Sequence, residues 1–118
     1  MITVTSHFSE KVVGEVLIPG DKSISHRSLM IGASAIGETK VKGLLESDDV
    51  IATVHALRCL GVDIEKDEKN GLWIISGRGV GGLSQSNKIL DLGNSGTAAR
   101  LLMGMVASHP FSTVFSGD

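Results

Sequence analysis

Two stretches of this chain align residue for residue at a spacing of 73: Gly20-Asp21-Lys22-Ser23-Ile24-Ser25-His26-Arg27-Ser28-Leu29-Met30 and Gly93-Asn94-Ser95-Gly96-Thr97-Ala98-Ala99-Arg100-Leu101-Leu102-Met103. Glycine, arginine, leucine and methionine coincide. After a one-residue shift Ala33-Ser34 matches Ala107-Ser108, Thr39 matches Thr113 and Gly43 matches Gly117. A recurring supersecondary unit restricts the fold strongly, because one copy cannot bury its apolar faces alone and copies must stack.

The content of the unit follows from periodicity. Val12 to Ile18 reads as a strand, which Pro19-Gly20 stops. A helix is predicted over about Ser23 to Ser34, with Ile24, Leu29, Ile31 and Ala33 inward and an end near Gly37. Glu38 to Lys42 alternates as a short strand. Ser47 then offers an N-cap and Asp48-Asp49 an acidic first turn to a second helix, whose stripe is Val50, Val54, Leu57 and Leu60 or Cys59. Val62 to Glu65 and Leu72 to Ser76 form a hairpin signal with Asn70-Gly71 at its turn. The glycines of Gly77 to Asn87 lack the strand-then-helix context of a dinucleotide fingerprint and read as a loop.

Ile89 to Leu92 is then a short strand, a third helix opens at Gly93-Asn94-Ser95-Gly96-Thr97 and runs to about Ser108, and Ser112 to Phe115 is a last strand. One unit therefore reads strand, helix, strand, helix, strand, strand. The second stops after its first helix and strand, so the expectation is a truncated chain holding about one and a half units.

Each copy places donors at a helix start. Lys22, Ser23 and Arg27 cluster where backbone N–H groups lack partners and the helix dipole is positive, with Ser23 and Arg27 on one face. Such a cluster suits an anion. Solvated charges beside an ordinary cap, Asp21 or Ser23, are the other reading of the motif alone. Arg100 recurs at the position of Arg27, four residues after Gly96, and Gly93 and Gly96 leave room for a ligand to approach the backbone.

Composition removes other classes. A formal charge of −2 with no basic block argues against general nucleic-acid or membrane-surface binding. Only four aromatic residues, Phe8, Trp73, Phe111 and Phe115, leave no base-stacking platform. No apolar run approaches a membrane span and no targeting signal opens the chain. Cys59, the one cysteine, falls in an apolar pattern and is expected to be a buried thiol. The histidines His7, His26, His55 and His109 show no metal-ligand spacing, so no metal is expected. His26 faces away from Arg27 and suits a structural role better than that of a general base, and Asp48 and Asp49 suit first-turn acids better than a catalytic pair.

The segments P-G-D-K-S-I-S-H-R, L-L-E-S-D-D-V and L-G-N-S-G-T-A-A-R-L, in this order and spacing, resemble the N-terminal portion of the 5-enolpyruvylshikimate-3-phosphate synthase family, from about Val12 onward. The resemblance implies an α/β fold of repeated βαβαββ units, the inside-out α/β barrel of the enolpyruvyl transferases. Residues 1–18 would be a leading strand that belongs to the other domain of the family. Residues 19–118 would be part of the N-terminal domain, with a first unit over about 19–87 and a truncated second over 88–118.

The implied reaction transfers the enolpyruvyl group of phosphoenolpyruvate to the 5-hydroxyl of shikimate 3-phosphate and releases phosphate, in aromatic amino-acid biosynthesis. By position, Lys22 would be catalytic and contact both substrates, and Ser23 and Arg27 would hold shikimate 3-phosphate. Asn94, Gly96, Thr97 and Arg100 would shape the phosphoenolpyruvate site, where the inhibitor glyphosate also binds. The resemblance implies no cofactor and a cytoplasmic, monomeric enzyme whose proton-transferring groups lie elsewhere, so this chain is expected to need the remainder of the enzyme for turnover. Ser95, Ala99 and Leu101 depart from the common G-N-A-G-T-A-M-R-P motif, which bears on glyphosate sensitivity more than on the reaction. The sister transferase acting on UDP-N-acetylglucosamine and a non-catalytic anion-binding module are the alternatives.

Overall fold

The computed structural model describes residues 2–118; Met1, the start of the expected leading strand, lies outside the described residues. The elements are α1 (Lys22–Ser34), β1 (Ile36–Lys42), α2 (Asp48–Cys59), β2 (Asp63–Asp67), β3 (Leu72–Arg78), β4 (Leu90–Asp91), α3 (Gly96–Val106) and β5 (Phe115–Ser116). The strand read at Val12 to Ile18 does not form. These residues are unpaired, with Val12 and Leu17 almost fully exposed. A strand gains its backbone hydrogen bonds only from a neighbour, and alternation cannot say whether one is present.

β1, β3 and β2 make an antiparallel sheet in that order, with β3 central. The hairpin is the one read from the sequence: Asp67 pairs with Leu72 across a turn in which Asp67 accepts from the backbone N–H groups of Lys69 and Asn70, and Gly71 takes a φ of 61°. Alternation along β3 sends Trp73 and Ile75 inward beside Ile64 of β2. α1 lies on this face so closely that a Cβ at Gly32 would sit 3.3 Å from Thr39 Cβ and 3.4 Å from Ile75 Cβ.

The face α1 buries differs from the one expected. Leu29 and Ala33 are inward, but Ile24 and Ile31 point out, 68% and 69% exposed, and Ser25, His26 and Met30 are buried instead. Ser25 is tolerated because its hydroxyl has hydrogen-bond partners, while His26 is partnered at Nδ1 and not at Nε2. α2 follows expectation, burying Val50, Val54 and Leu57 with Leu60 just beyond it. Cys59, expected buried, is half-buried at the edge of the core. Ser47 sits at the N-cap of α2 without donating or accepting a capping bond.

In the second unit β4 and β5 pair in parallel around α3, Leu90 with Phe115 and Asp91 with Ser116. The repeat is visible in burial, since the buried residues of α3, Ala98, Leu102 and Val106, fall at a constant offset from the buried Ser25, Leu29 and Ala33 of α1. What differs is the parallel strand before the helix: β4 supplies it for the second unit, whereas β1 keeps one edge unpaired because residues 12–18 do not join it.

Candidate functional site

α1 begins where Asp21 accepts the Ile24 N–H at 2.8 Å, making Asp21 rather than Ser23 the N-cap. Lys22 is thus the first helical residue, and its ammonium reaches the second helix, where Asp49 Oδ2 lies 2.9 Å from Nζ. The sequence pattern marks Asp49 as a first-turn acid only. A contact between residues 27 positions apart on separate elements leaves no mark in local pattern.

The first turn of α1 is held from below. Ser25 Oγ donates to the Asp21 carbonyl at 2.7 Å and accepts from the Leu45 N–H at 3.0 Å, which ties the loop before α2 to the turn that carries Lys22. One turn deeper, His26 Nδ1 lies 2.8 Å from Thr53 Oγ1. Lys22 with Asp49 and His26 with Thr53 advance together along both helices, so α1 and α2 run parallel and present their N-terminal ends on the same side. Burial, opposed by Asp49 and helped by Lys22 and Arg27, holds the His26 imidazole below its ordinary value.

Arg27 is exposed and folds back along its own helix, donating from a terminal guanidinium nitrogen to the Ser23 carbonyl at 3.0 Å. The Arg100 side chain also lies back along its own helix: a terminal guanidinium nitrogen would be 3.3 Å from a Cβ on Gly96. α3 is capped by Ser95, which accepts from the Ala98 N–H, and Ser95 is buried, so position 95 is a structural cap in this chain. Asn94 and Gly96 are exposed, and Thr97 is half-buried.

The two motifs are arranged around α2. Asp48 and Gly93 line one cavity, which puts the first turn of α2 beside the loop entering α3. Asn94 and Gly96 line a second cavity with Phe115 to Asp118. Arg27 and Leu101 line a groove between α1 and α3. Among the described residues no hydrogen bond joins Lys22, Ser23 or Arg27 to Asn94, Gly96, Thr97 or Arg100, so the motifs are neighbours rather than a bonded cluster. Among the described residues no group of His, Cys, Asp and Glu has a metal-binding arrangement, and no helix is long and apolar enough to cross a membrane.

Comparison with known proteins gives one result by three routes. The sequence pattern of the family described as EPSP synthase (3-phosphoshikimate 1-carboxyvinyltransferase) matches residues 7–118. A 3-phosphoshikimate 1-carboxyvinyltransferase of Zymomonas mobilis is 61% identical over 105 residues, 89% of this chain and 23% of that protein. The one from Paramagnetospirillum magneticum is 53% identical over 115 residues, 98% of this chain and 26% of that protein. A solved EPSP synthase from Acinetobacter baumannii superposes with a TM-score of 0.82 at 48% identity, over 89% of this chain and 24% of its own. The chain spans about a quarter of the length of the relatives it matches. With its repeated α/β units and both helix-start motifs inside the matched region, the chain belongs to the EPSP synthase family.

Proposed function

We propose that this chain provides the shikimate 3-phosphate site and one wall of the phosphoenolpyruvate site of a 3-phosphoshikimate 1-carboxyvinyltransferase. The observation that carries the reading is the placement of Lys22, Ser23 and Arg27 at the start of α1, and of Asn94, Gly96, Thr97 and Arg100 at the start of α3, on helices grouped around the N-terminal end of α2. Both substrates are anions. Fixed cations and unpaired helix N–H groups bring them together and lower the entropic part of the barrier.

In this reading Ser23 and Arg27 hold shikimate 3-phosphate, and Arg27 must swing off the Ser23 carbonyl to do so. Lys22, held on Asp49, contacts both substrates and stabilises charge that develops as the enolpyruvyl group is transferred and phosphate leaves. Asn94, Gly96, Thr97 and Arg100 line the phosphoenolpyruvate side. Proton transfer is assigned to residues in the remaining three quarters of the family's length, and no cofactor takes part. We place the protein in the cytoplasm, with the complete enzyme a monomer. The segment 1–18 is assigned to the other domain and 19–118 to the N-terminal domain.

The test is phosphate release by the full-length synthase that carries this segment, with both substrates present. Activity should require both, and Lys22→Ala should lower kcat by about 10²–10³. Amide shifts centred on Lys22, Ser23 and Arg27 should follow shikimate 3-phosphate and not plain phosphate. Equal responses to the two anions, without turnover, would instead identify a general anion-binding module.

A further inference from the structure

Lys22 and His26 stand one turn apart on α1, as Asp49 and Thr53 do on α2, so two rungs join the parallel helices. The outer rung is ionic and partly open to solvent, Lys22 to Asp49. The inner rung is closed: His26 and Thr53 are both fully buried, with Nδ1 and Oγ1 2.8 Å apart. These are the polar contacts between α1 and α2 among the described residues.

The inner rung costs the fold something. Thr53 Oγ1 lies 3.4 Å from the Asp49 carbonyl, so a hydroxyl that donates there accepts the one proton of a neutral His26 ring at Nδ1. His26 Nε2 is then a buried acceptor without a partner. An apolar ring of the same size would avoid that loss. What an apolar pair would lack is direction, because dispersion contacts tolerate small slides and rotations that a short buried hydrogen bond does not.

We propose that His26 and Thr53 are positioning residues for Lys22. Their hydrogen bond fixes the register of α1 on α2, and that register sets the Asp49 carboxylate at 2.9 Å from the Lys22 ammonium, which holds an otherwise freely rotating side chain at the site. The consequence for turnover rests on the function proposed above, whereas the consequence for Lys22 itself does not.

The experiment uses the full-length synthase carrying this segment, labelled with ¹⁵N-lysine, and follows the Lys22 ammonium signal. Asp49→Asn supplies the reference for a released lysine. Thr53→Ser should leave the signal at its wild-type position and Thr53→Val should move it toward that of Asp49→Asn. With substrates, Thr53→Val should lose about ten- to a hundredfold in kcat/KM and Thr53→Ser should recover it. Should Thr53→Val fail to fold, His26→Asn, which keeps a donor near the Nδ1 position, and His26→Leu, which removes it, make the same comparison. An unchanged Lys22 signal in the variants without the hydrogen bond, whatever their melting temperature, overturns the proposal. A wild-type enzyme without turnover but with the expected Lys22 signals would overturn the functional reading and leave the positioning pair standing.

Discussion

The backbone N–H of Leu45 donates to Ser25 Oγ at 3.0 Å, and the same hydroxyl donates to the Asp21 carbonyl at 2.7 Å. One small side chain thereby joins the loop between β1 and α2 to the N-cap residue of α1. Ser25→Ala removes the acceptor and leaves the Leu45 N–H without its partner at a part-buried site. The expected cost is about 1–3 kcal/mol, the penalty of an unsatisfied buried donor. Urea unfolding should read it as a lower midpoint with an unchanged slope. A midpoint equal to wild type would mean that water replaces the clasp.

Gly20 approaches the same loop so closely that a Cβ there would stand 2.1 Å from the Gly43 carbonyl oxygen and 3.2 Å from the Leu45 nitrogen. Both obstacles are backbone and cannot turn aside. Gly20→Ala is therefore expected to push the Pro19-Gly20 segment off the loop at a cost of about 1–3 kcal/mol, as overpacking does elsewhere. The measurement is thermal unfolding together with the amide shifts of Leu45 and Lys22. A stable variant with both shifts unmoved would show that the segment has more slack than its geometry implies.

How much of this was legible in the sequence depends on the range of the interaction. Gly20 and Gly93 mark the repeat, and α1, α2, α3 and the hairpin follow from local period and turn chemistry at Asn70-Gly71. The inward face of α1 is not legible, because hydrophobicity favours Ile24 and Ile31 while the structure buries Ser25 and His26 against partners contributed by Asp21, Leu45 and Thr53. The strand at Val12 to Ile18 failed for a related reason, since its composition is suitable but no strand pairs with it. The site residues Lys22, Ser23, Arg27 and Arg100 were legible as motif members; Asp49, which holds Lys22, was not. Its signal was the (i, i+4) pairing of Asp49 with Thr53 opposite that of Lys22 with His26, and that pairing has meaning only once α1 and α2 are known to be parallel.

Gly96 separates fold from binding. A Cβ there meets only the guanidinium end of Arg100, at 3.3 Å, which can swing away. We expect Gly96→Ala to change stability by less than about 0.5 kcal/mol, like other surface substitutions free of special geometry. Under the proposed function it should still weaken phosphoenolpyruvate binding, because the methyl group occupies the approach to the start of α3. The informative comparison is KM for phosphoenolpyruvate against KM for shikimate 3-phosphate. A rise in the first alone supports the assignment of α3 to that substrate, and equal effects on both count against it.

His26 gives the fold a dependence on pH whose sign is fixed. Its folded value lies below the ordinary 6.5 because burial disfavours the imidazolium, and the attraction of Asp49 does not offset that. As pH falls through 6.5 the unfolded chain takes up a proton at this residue before the folded protein does, so stability declines. The contribution is complete above the unfolded value and is lost progressively below it. Glu46, held down chiefly by Lys66, and Asp67, held down by Asn70, begin to act only nearer their ordinary 4.5 and 3.8, and they lower stability further there. Melting temperature should therefore fall between about pH 7 and 5 in the wild type, in the window where histidine titrates. His26→Asn, which cannot titrate but keeps a donor for Thr53, should flatten that fall while leaving the steeper loss near pH 4 in place. The same slope in both proteins between pH 7 and 5 would rule out His26 as its source.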